Sequence, residues 1–503
     1  MTGQELTVIA PLVAAIAAAI FILFVDLVFP GQRTLAVAAS LLALGVVAAI
    51  TILAHSRVGG GLPGDAFDGA YRLDALTTFL DLLFVSIVAL TIVFAPDYLE
   101  PRGLPVAEFA VVLVFAMAGA MLMAGATDLL LLFLGLELMV LPGYMLAGYH
   151  KTDGYSTEGA IKYFLLGSFS SAIFLFGLVL TFGFAGTTRI PEVAQALLGA
   201  TQALGAMPAG LLMGAALLTT GAAFKIAAVP FHYWTPDAYQ GSPTPVTGYL
   251  SVGPKIAAFA LILRLFVEAL GDFKAEWTPF VVVLAALTMS LGNLVALSQD
   301  NIKRMLAYSS IAHTGYILVG LAAFGAAAPG STAGQAGLEA LLFYAFAYSF
   351  MNLGAFAVVA ALQRQPGVTS QLTTFAGLGR RAPLLGVLMF LFLLSLTGIP
   401  PLAGFWAKWY VIQAALQVGG WLTLLAVLAV LNAAVAAFYY LRVAVYMYMR
   451  EPATDAPAVE IGGATRVGLA IAALVTLFIW LPGVSSLFID IAREAASVLI
   501  AGS

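Results

Sequence analysis

Long apolar stretches follow one another along almost the whole chain, and short polar segments separate them. A helix needs about 20 consecutive apolar residues to cross the hydrocarbon core of a bilayer. The pattern therefore predicts an all-α polytopic membrane protein with about 14 transmembrane helices. The predicted limits are 6–28, 34–54, 74–94, 106–124, 127–148, 158–183, 209–229, 243–268, 278–297, 302–323, 336–362, 384–413, 420–449 and 465–489.

Residues that interrupt a helix occur at two of the predicted spans. Pro230 directly follows the seventh span, and Gly398, Pro400 and Pro401 fall in the middle of the twelfth. Because proline lacks a backbone donor and clashes with the preceding turn, we expect helices 7 and 12 to be discontinuous. Their offset of five helices predicts two inverted five-helix repeats, helices 4–8 and helices 9–13, a layout found in transporters.

The connections between spans are too short for a soluble domain, so we predict a single membrane domain over residues 1–503. Within it, helices 1–3 occupy residues 1–105, the first repeat 106–270, the second repeat 278–450 and the C-terminal helix 465–503.

Composition supports this class and narrows the chemistry. Hydrophobic residues make up 62% of the chain and charged residues only 9%, against roughly 25% charged in a soluble domain. The absence of cysteine excludes disulfides, thiolate metal sites and cysteine-ligated iron–sulfur clusters in this chain. A net charge of −4 gives no sign of a nucleic-acid partner.

Lysine and arginine accumulate in cytoplasmic loops, so their distribution predicts orientation. Odd-numbered connections contain Arg33, Arg102, Lys151, Lys303, Arg304, Arg364, Arg380, Arg381, Arg450 and Arg466. Even-numbered connections and the tail contain only Arg57, Arg72, Arg189, Lys274 and Arg493. We therefore expect the odd connections in the cytoplasm and both termini on the periplasmic side of a bacterial cytoplasmic membrane.

Two lysines at membrane depth dominate the candidate chemistry. Lys225 and Lys255 lie in consecutive predicted spans, and each stands close to a proline. A buried ammonium group costs roughly 2.5–3.5 kcal/mol on insertion scales, so a helix keeps one mainly where it faces protein or water. Lysine can exchange a proton when it is desolvated, which favours a proton-transfer role over a purely structural one.

Glu137 is the single charge in the centre of the fifth span. It is interpreted as a proton-binding carboxylate, and the alternative is a structural carboxylate paired with a neighbouring helix. Lys162, near the start of the sixth span, is its predicted partner. Lys162 could instead extend to the cytoplasmic interface.

Three further residues complete the candidate set. Lys408, just beyond the second interruption, is expected to be the terminal group that exchanges protons with the outer side, unless it only extends to the interface. His232 either carries protons or caps the first interruption. His313 either bridges the two halves as a neutral relay or is a satisfied core histidine.

The remaining charges inside or near spans receive structural interpretations. Arginine does not deprotonate in proteins, so Arg264 and Arg442 are expected to be anchors or charge partners. Asp128 is a predicted helix N-cap. The other acidic residues close to predicted helix ends are Asp26, Asp81, Glu108 and Glu158.

Five motifs resemble one known family from about residue 70 to 450. They are LGLELMVLPGYMLAGY, EGAIKYFLLGSFSSAIFLFG, KIAAVPFHYWTPDAYQGSPTPVTGYLSVGPKIAAF, SQDNIKRMLAYSSIAHTGYILVG and GIPPLAGFWAKWYV. They are similar to the antiporter-like membrane subunits of respiratory complex I, the proton-pumping NADH:quinone oxidoreductase. The GxxKYFxLG pattern around Lys162, the SVGPKIAAF sequence and the lysine at position 408 favour the N-type branch.

The resemblance implies a fold of 14 helices with inverted repeats, and it gives proton-translocating roles to Glu137, Lys162, Lys225, Lys255 and Lys408. It matches His232 and His313 to a central hydrophilic axis. It also implies that this chain holds no cofactor, and that NADH, FMN, iron–sulfur clusters and quinone belong to partner subunits. The implied partners are the M-type antiporter-like subunit, small membrane subunits such as K and J, and the lipid bilayer.

Two other functions remain open at this point. The chain could be a subunit of a multisubunit cation/proton antiporter or of a membrane-bound hydrogenase, because both resemble complex I in these helices. It could also be a structural spacer that joins neighbouring subunits without pumping.

Overall fold

The fold is almost entirely helical. The structure is a computed structural model, and it describes residues 2–61, 64–205, 207–365, 367–452, 459–479, 481 and 484–501. The first helices are α1 (Gly3–Val28), α2 (Arg33–Gly59), α3 (Ala75–Leu99), α4 (Val106–Gly125), α5 (Leu129–Ala147), α6 (Gly154–Ala185) and α7 (Ile190–Leu204). Strands β1 (Asp65–Ala66) and β2 (Tyr71–Arg72) form a short antiparallel hairpin before α3.

The helices that follow are α8 (Ala209–Lys225), α9 (Trp234–Gly241), α10 (Thr244–Leu250), α11 (Gly253–Leu263), α12 (Lys274–Ala296), α13 (Ile302–Ala326) and α14 (Thr332–Leu362). The chain ends with α15 (Leu378–Arg381), α16 (Pro383–Thr397), α17 (Ala403–Val418), α18 (Leu422–Met449), α19 (Gly463–Phe478) and α20 (Val484–Ala501).

Within the described part of the chain, 11 helical segments are long and apolar enough to cross a membrane. Three shorter apolar helices, α8, α16 and α19, add to them. The prediction of an all-α polytopic membrane protein is therefore confirmed. The number of crossings and the inverted repeats stay predictions.

Helices 7 and 12 are discontinuous, as predicted. The seventh span consists of α8, which ends at Lys225, and α9, which begins only at Trp234. The twelfth consists of α16, which ends at Thr397, and α17, which begins at Ala403. Gly398 between them has a φ of +96°, a conformation that glycine adopts at little steric cost.

The eighth span is also interrupted, which the sequence analysis did not predict. It comprises α10, α11 and a π-helical turn over Arg264–Ala269. Pro254 stands in the first turn of α11, where proline is tolerated because its missing N–H has no helical partner. The Gly253–Pro254 pair was therefore the signal of a helix start inside the span.

The last predicted span, 465–489, is wrong as a single helix. The structure instead has α19 and α20, and Pro482, which cannot continue a helix, lies in the sequence between them. Helix α20 packs Phe488 against Phe346 of α14, with ring centroids 4.3 Å apart. Its half-exposed Arg493 also pairs with Glu339 of α14 at 3.3 Å.

The most buried helices lie in the middle of the molecule. Helices α3, α11, α13 and α14 are covered almost completely by their neighbours, whereas α1, α2, α6 and α18 present many apolar side chains outward. Polar groups on the central helices are therefore shielded from the bilayer by protein, which allows charges to be held there.

Candidate functional site: a row of buried cations

Lys225 lies at the first helix interruption. It is the last residue of α8, its side chain is buried, and its Nζ donates a hydrogen bond to Ser171 Oγ of α6 at 3.1 Å. The carbonyl groups at a helix C-terminus carry partial negative charge, which favours a cation in the last turn. The interruption at Pro230 therefore creates a position that stabilises an ammonium group inside the protein.

Lys255 lies in the first turn of α11 and contacts α13. Its Nζ donates to the carbonyl oxygen of Ser310 at 3.0 Å, to Ser310 Oγ at 2.7 Å and to Thr314 Oγ1 at 3.3 Å. The N-terminal end of a helix carries partial positive charge, so α11 itself does not favour a cation here. The oxygens of α13 are what hold this ammonium group.

Thr314 joins the surroundings of the two lysines. While its Oγ1 accepts the hydrogen bond from Lys255, it donates to the carbonyl oxygen of Ile226 at 2.9 Å. Ile226 directly follows Lys225 and is the C-cap of α8. One hydroxyl on α13 thus connects the interruption in the seventh span to the interruption in the eighth.

His313, the neighbour of Thr314, continues the polar contacts into the second half of the chain. Its buried ring makes hydrogen bonds through Nδ1 to the Tyr344 hydroxyl at 2.7 Å and through Nε2 to the Tyr440 hydroxyl at 3.3 Å. The ring lies within electrostatic range of both Lys255 and Lys408. The structure therefore places His313 close enough to both lysines for their charges to act on it.

Lys408 occupies the second interruption. Its Nζ donates to the carbonyl oxygens of Leu396 at 2.9 Å and Thr397 at 2.8 Å, which end α16. The ammonium group also lies 4.8 Å from the centroid of the Tyr316 ring. Lys408 is only 4% exposed, so it does not extend to the interface.

All three lysines have neutral partners. Among the residues that the structure describes, Lys225, Lys255 and Lys408 form no ion pair with a carboxylate within 4.0 Å. Hydroxyl and carbonyl oxygens stabilise an ammonium group but do not fix its charge as a carboxylate does. Within the described part of the chain, no carboxylate in direct contact therefore holds the proton on any of the three amines.

The predicted pair between Glu137 and Lys162 is wrong. Lys162 lies two turns into α6, and Glu158 lies one turn before it on the same helix face. The Nζ of Lys162 contacts Glu158 Oε1 at 2.6 Å and Asp237 Oδ2 at 2.8 Å. Asp237 also pairs with Arg304 at 2.6 Å. Lys162 thus belongs to an ion-pair network between α6, α9 and α13 near the helix ends.

Glu137 stands apart from that network. Its buried Oε1 has no hydrogen-bond partner in the described structure. Its charge acts on Lys225 rather than on Lys162. The carboxylate is thus an electrostatic neighbour of the first buried lysine, without direct contact.

His232 lies within the first interruption, off the row of lysines. Its ring stacks on Tyr233 with centroids 4.6 Å apart, and its buried Nδ1 has no hydrogen-bond partner among the described residues. Among the described residues, no hydrogen bond joins the His232 ring to Lys225. Its role as a relay stays a prediction.

The structural interpretations of three other charges are confirmed. Asp128 caps α5 by accepting hydrogen bonds from the N–H groups of Leu130 and Leu131. Arg442 donates to the Leu297 carbonyl at 3.1 Å. Arg264 pairs with Asp74 at 2.7 Å and is completely buried.

The interpretation of Asp81 as a residue near a helix end is wrong, because Asp81 lies two turns inside α3 and is completely buried. Five residues that hydrogen-bond to the buried lysines or to His313 were not predicted, and all of them carry hydroxyl groups: Ser171, Ser310, Thr314, Tyr344 and Tyr440. Single hydroxyls in apolar helices give no pattern that distinguishes these positions from ordinary packing.

No group of three or more His, Cys, Asp and Glu side chains that could hold a metal ion occurs among the described residues.

Discontinuous helices and buried lysines at their interruptions define a class, the multi-pass membrane proteins that transport ions. The family model described as "NADH:quinone oxidoreductase/Mrp antiporter, TM" matches residues 126–432. Subunit N 2 of the NADH-quinone oxidoreductase of Roseiflexus castenholzii is 43% identical over 462 residues, which cover 91% of this chain and 90% of the relative. Subunit N of Chloroflexus aggregans is 41% identical, over 95% of this chain and 94% of the relative.

A chain of respiratory complex I from Thermus thermophilus has 31% sequence identity and a TM-score of 0.75, covering 95% of this chain and 98% of that one. The chain belongs to the NADH:quinone oxidoreductase/Mrp antiporter family, in the branch of the N subunits of NADH-quinone oxidoreductase. A chain of the Mrp complex from Dietzia, 23% identical with a TM-score of 0.83 over 99% of this chain and 98% of that one, shares the fold. The predicted resemblance is confirmed.

Proposed function

We propose that this chain translocates protons as a membrane subunit of NADH:quinone oxidoreductase, and that Lys225, Lys255 and Lys408 carry the protons. The observation that supports this most strongly is that all three amines are buried and bonded only to neutral oxygens. Arg264, a buried cation that does not release its proton, is instead paired with carboxylates.

The row supplies a sequence of short steps. A charge change at Glu137 alters the electrostatic energy of the ammonium group of Lys225. The Thr314 hydroxyl connects the Ile226 carbonyl beside Lys225 to the amine of Lys255. His313 and the hydroxyls of Tyr344 and Tyr440 then lead towards Lys408.

The energies involved have the right scale. Moving one charge across 100 mV costs about 2.3 kcal/mol. A shift of one pKa unit in a carrier corresponds to about 1.4 kcal/mol, so shifts of a few units along the row suffice to drive a proton outward. Quinone reduction in partner subunits would supply this energy as a change of charge at the Glu137 end.

The ion-pair network of Lys162, Glu158, Asp237 and Arg304 has a different role in this proposal. It joins α9 to α6 and α13. Lys162 therefore positions α9, the helix that follows the first interruption, rather than partnering Glu137.

The assembly follows from the same proposal. NADH, FMN, iron–sulfur clusters and quinone would be bound by partner subunits, and the neighbours would include the M-type antiporter-like subunit and small membrane subunits such as K and J. The chain would lie in the bacterial cytoplasmic membrane with both termini on the periplasmic side. Purification with a tag on this chain, followed by mass spectrometry, tests it: hydrogenase or Mrp-type partners in place of NADH:quinone oxidoreductase subunits would contradict the assignment.

Two substitutions at one position separate proton transfer from a structural charge. Lys255→Ala removes the amine, whereas Lys255→Arg keeps a positive charge that does not dissociate. If Lys255 carries protons, both variants of the assembled complex lose most of the quinone reductase activity and proton pumping. Lys151→Ala, in an exposed loop, is the control. Normal pumping by Lys255→Arg would contradict the proposal and support a spacer with a fixed buried charge.

A further inference from the structure

A second polar cluster lies where α3 begins and α4 ends, and it shares no residue with the row of lysines. It contains Tyr71 of β2, Asp74 at the N-cap of α3, Asp81 in α3, and Arg264 and Glu268 in the π-helical turn. Three carboxyl groups and one guanidinium group are thus brought together inside the protein.

Arg264 forms ion pairs with two carboxylates of this cluster. Its NH2 contacts Asp74 Oδ2 at 2.7 Å, and its NH1 contacts Glu268 Oε1. Its Nε and NH2 also donate to the carbonyl oxygen of Ala124 at 3.4 Å. One guanidinium group therefore already faces two carboxylates.

Asp81 accepts no hydrogen bond from Arg264. Its side chain is completely buried, and neither Oδ1 nor Oδ2 has a hydrogen-bond donor among the described residues. The charged group that acts on it is Asp74, which has the same sign. An ionised carboxylate without donor or counter-ion at this depth would cost several kcal/mol.

Tyr71 is the neutral polar neighbour of Asp81. Its hydroxyl is completely buried, has no hydrogen-bond partner in the described part of the chain, and lies within electrostatic range of Asp81. Two neighbouring buried polar groups that both lack hydrogen-bond partners are rare in proteins. A carboxylic acid, unlike a carboxylate, carries the O–H donor that such a neighbourhood can accommodate.

We propose that Asp81 is a proton-binding site, occupied by a proton at neutral pH, with the Tyr71 hydroxyl as its polar neighbour. The ligand of this site is the proton itself. Burial without a hydrogen-bond donor among the described residues and the like charge of Asp74 keep the proton on Asp81, and they separate this site from the lysine row, whose members are cations.

Infrared difference spectroscopy on the purified complex tests this assignment. We expect Asp81→Asn to remove one carboxylic-acid C=O band that shifts in D₂O, and to leave the carboxylate bands unchanged. Asp68→Asn is the matched control, since Asp68 is exposed and asparagine tolerates its φ of +54°. The control should remove carboxylate bands only. Loss of carboxylate bands in Asp81→Asn, with no carboxylic-acid band lost, would overturn the proposal.

Tyr71→Phe provides a second test that does not require Asp81 to be replaced. It removes the neighbouring hydroxyl, so the carboxylic-acid band should persist at a shifted frequency. No shift of any carboxylic-acid band in this variant would show that Asp81 and Tyr71 do not form a site together.

Discussion

At the scale of single residues, the buried cations fall into two groups with different chemistry. Lys225, Lys255 and Lys408 are bonded to neutral oxygens, whereas Arg264 is bonded to carboxylates. Arginine keeps its proton under all ordinary conditions, while a buried lysine can release it. The partners therefore differ with the side chain: in the described structure, the three lysines proposed to carry protons have no carboxylate in direct contact, whereas the arginine does.

Thr314→Val tests the hydroxyl that joins the first two lysines. The change keeps the side-chain shape but removes the contacts to Lys255 and to the Ile226 carbonyl. Because buried polar groups are left without a partner, we expect the free energy of unfolding to fall by about 1–3 kcal/mol and proton pumping to fall about tenfold. Thr220→Val, whose hydroxyl bonds only within its own helix, should pump normally. A fully active Thr314→Val variant would show that this hydroxyl is not needed.

Arg264→Met tests the buried ion pairs. Asp74 and Glu268 would then lie inside the protein without a counter-ion, which costs about 3–5 kcal/mol. Thermal denaturation of the assembled complex should show a clear loss of stability. Arg33→Met, which breaks an exposed pair with Glu100, should cost less than about 1 kcal/mol. Equal effects of the two changes would argue against a special role for the buried cluster.

The sequence predicted the residue types at the site better than their pairing. The lysines were recognisable because an ammonium group in an apolar helix is costly. The partner of Lys162 was not recognisable, because the distance from α6 to Asp237 depends on where α9 lies after the interruption. Asp81 was misjudged for a similar reason, since its burial results from neighbouring helices rather than from α3 itself.

At the scale of helices, the interruptions determine where the lysines can lie. Helix α8 ends at Lys225, and the end of α16 supplies the carbonyl groups that hold Lys408. Proline and glycine made the two main interruptions predictable. The interruption of the eighth span and the break before α20 were not predicted, because a single proline in a long apolar stretch is compatible with either a kink or a new helix start.

Gly404→Ala tests the close packing around the second interruption. A Cβ at this position would collide with the Ser395 carbonyl oxygen of α16. We expect a cost of about 1–3 kcal/mol and reduced pumping, because the ends of α16 and α17 that hold Lys408 must move apart. Gly199→Ala in α7, which has open space around it, is the control. Unchanged pumping by Gly404→Ala would mean that the position of Lys408 tolerates this displacement.

At the scale of the whole molecule, the nearly all-helical fold was predictable from hydropathy alone, because a chain in lipid must satisfy its backbone groups within helices. The order in which the central helices pack was not predictable from one sequence. That order packs α13 against both α11 and α14, and so places Thr314 beside Lys255 and His313 beside Tyr344.

The predicted orientation can be measured directly, because the chain contains no cysteine. Asp68→Cys lies in the loop between β1 and β2, and Lys151→Cys lies between α5 and α6. A membrane-impermeant maleimide should label the first in right-side-out vesicles and the second only after permeabilisation. The reverse pattern would place both termini in the cytoplasm and invert the direction of the proposed path.

The most direct test of the central claim is Lys225→Ala in the assembled complex, with electron transfer to quinone and proton uptake measured in sealed vesicles. Lys225 makes its hydrogen bond to Ser171 Oγ and has no carboxylate in direct contact within the described structure, so removal of the amine breaks no ion pair, although it removes the cation that Glu137 faces electrostatically. We predict normal assembly with strong loss of both activities, while Lys151→Ala retains them. Normal rates and normal pumping in Lys225→Ala would contradict a proton path through this lysine.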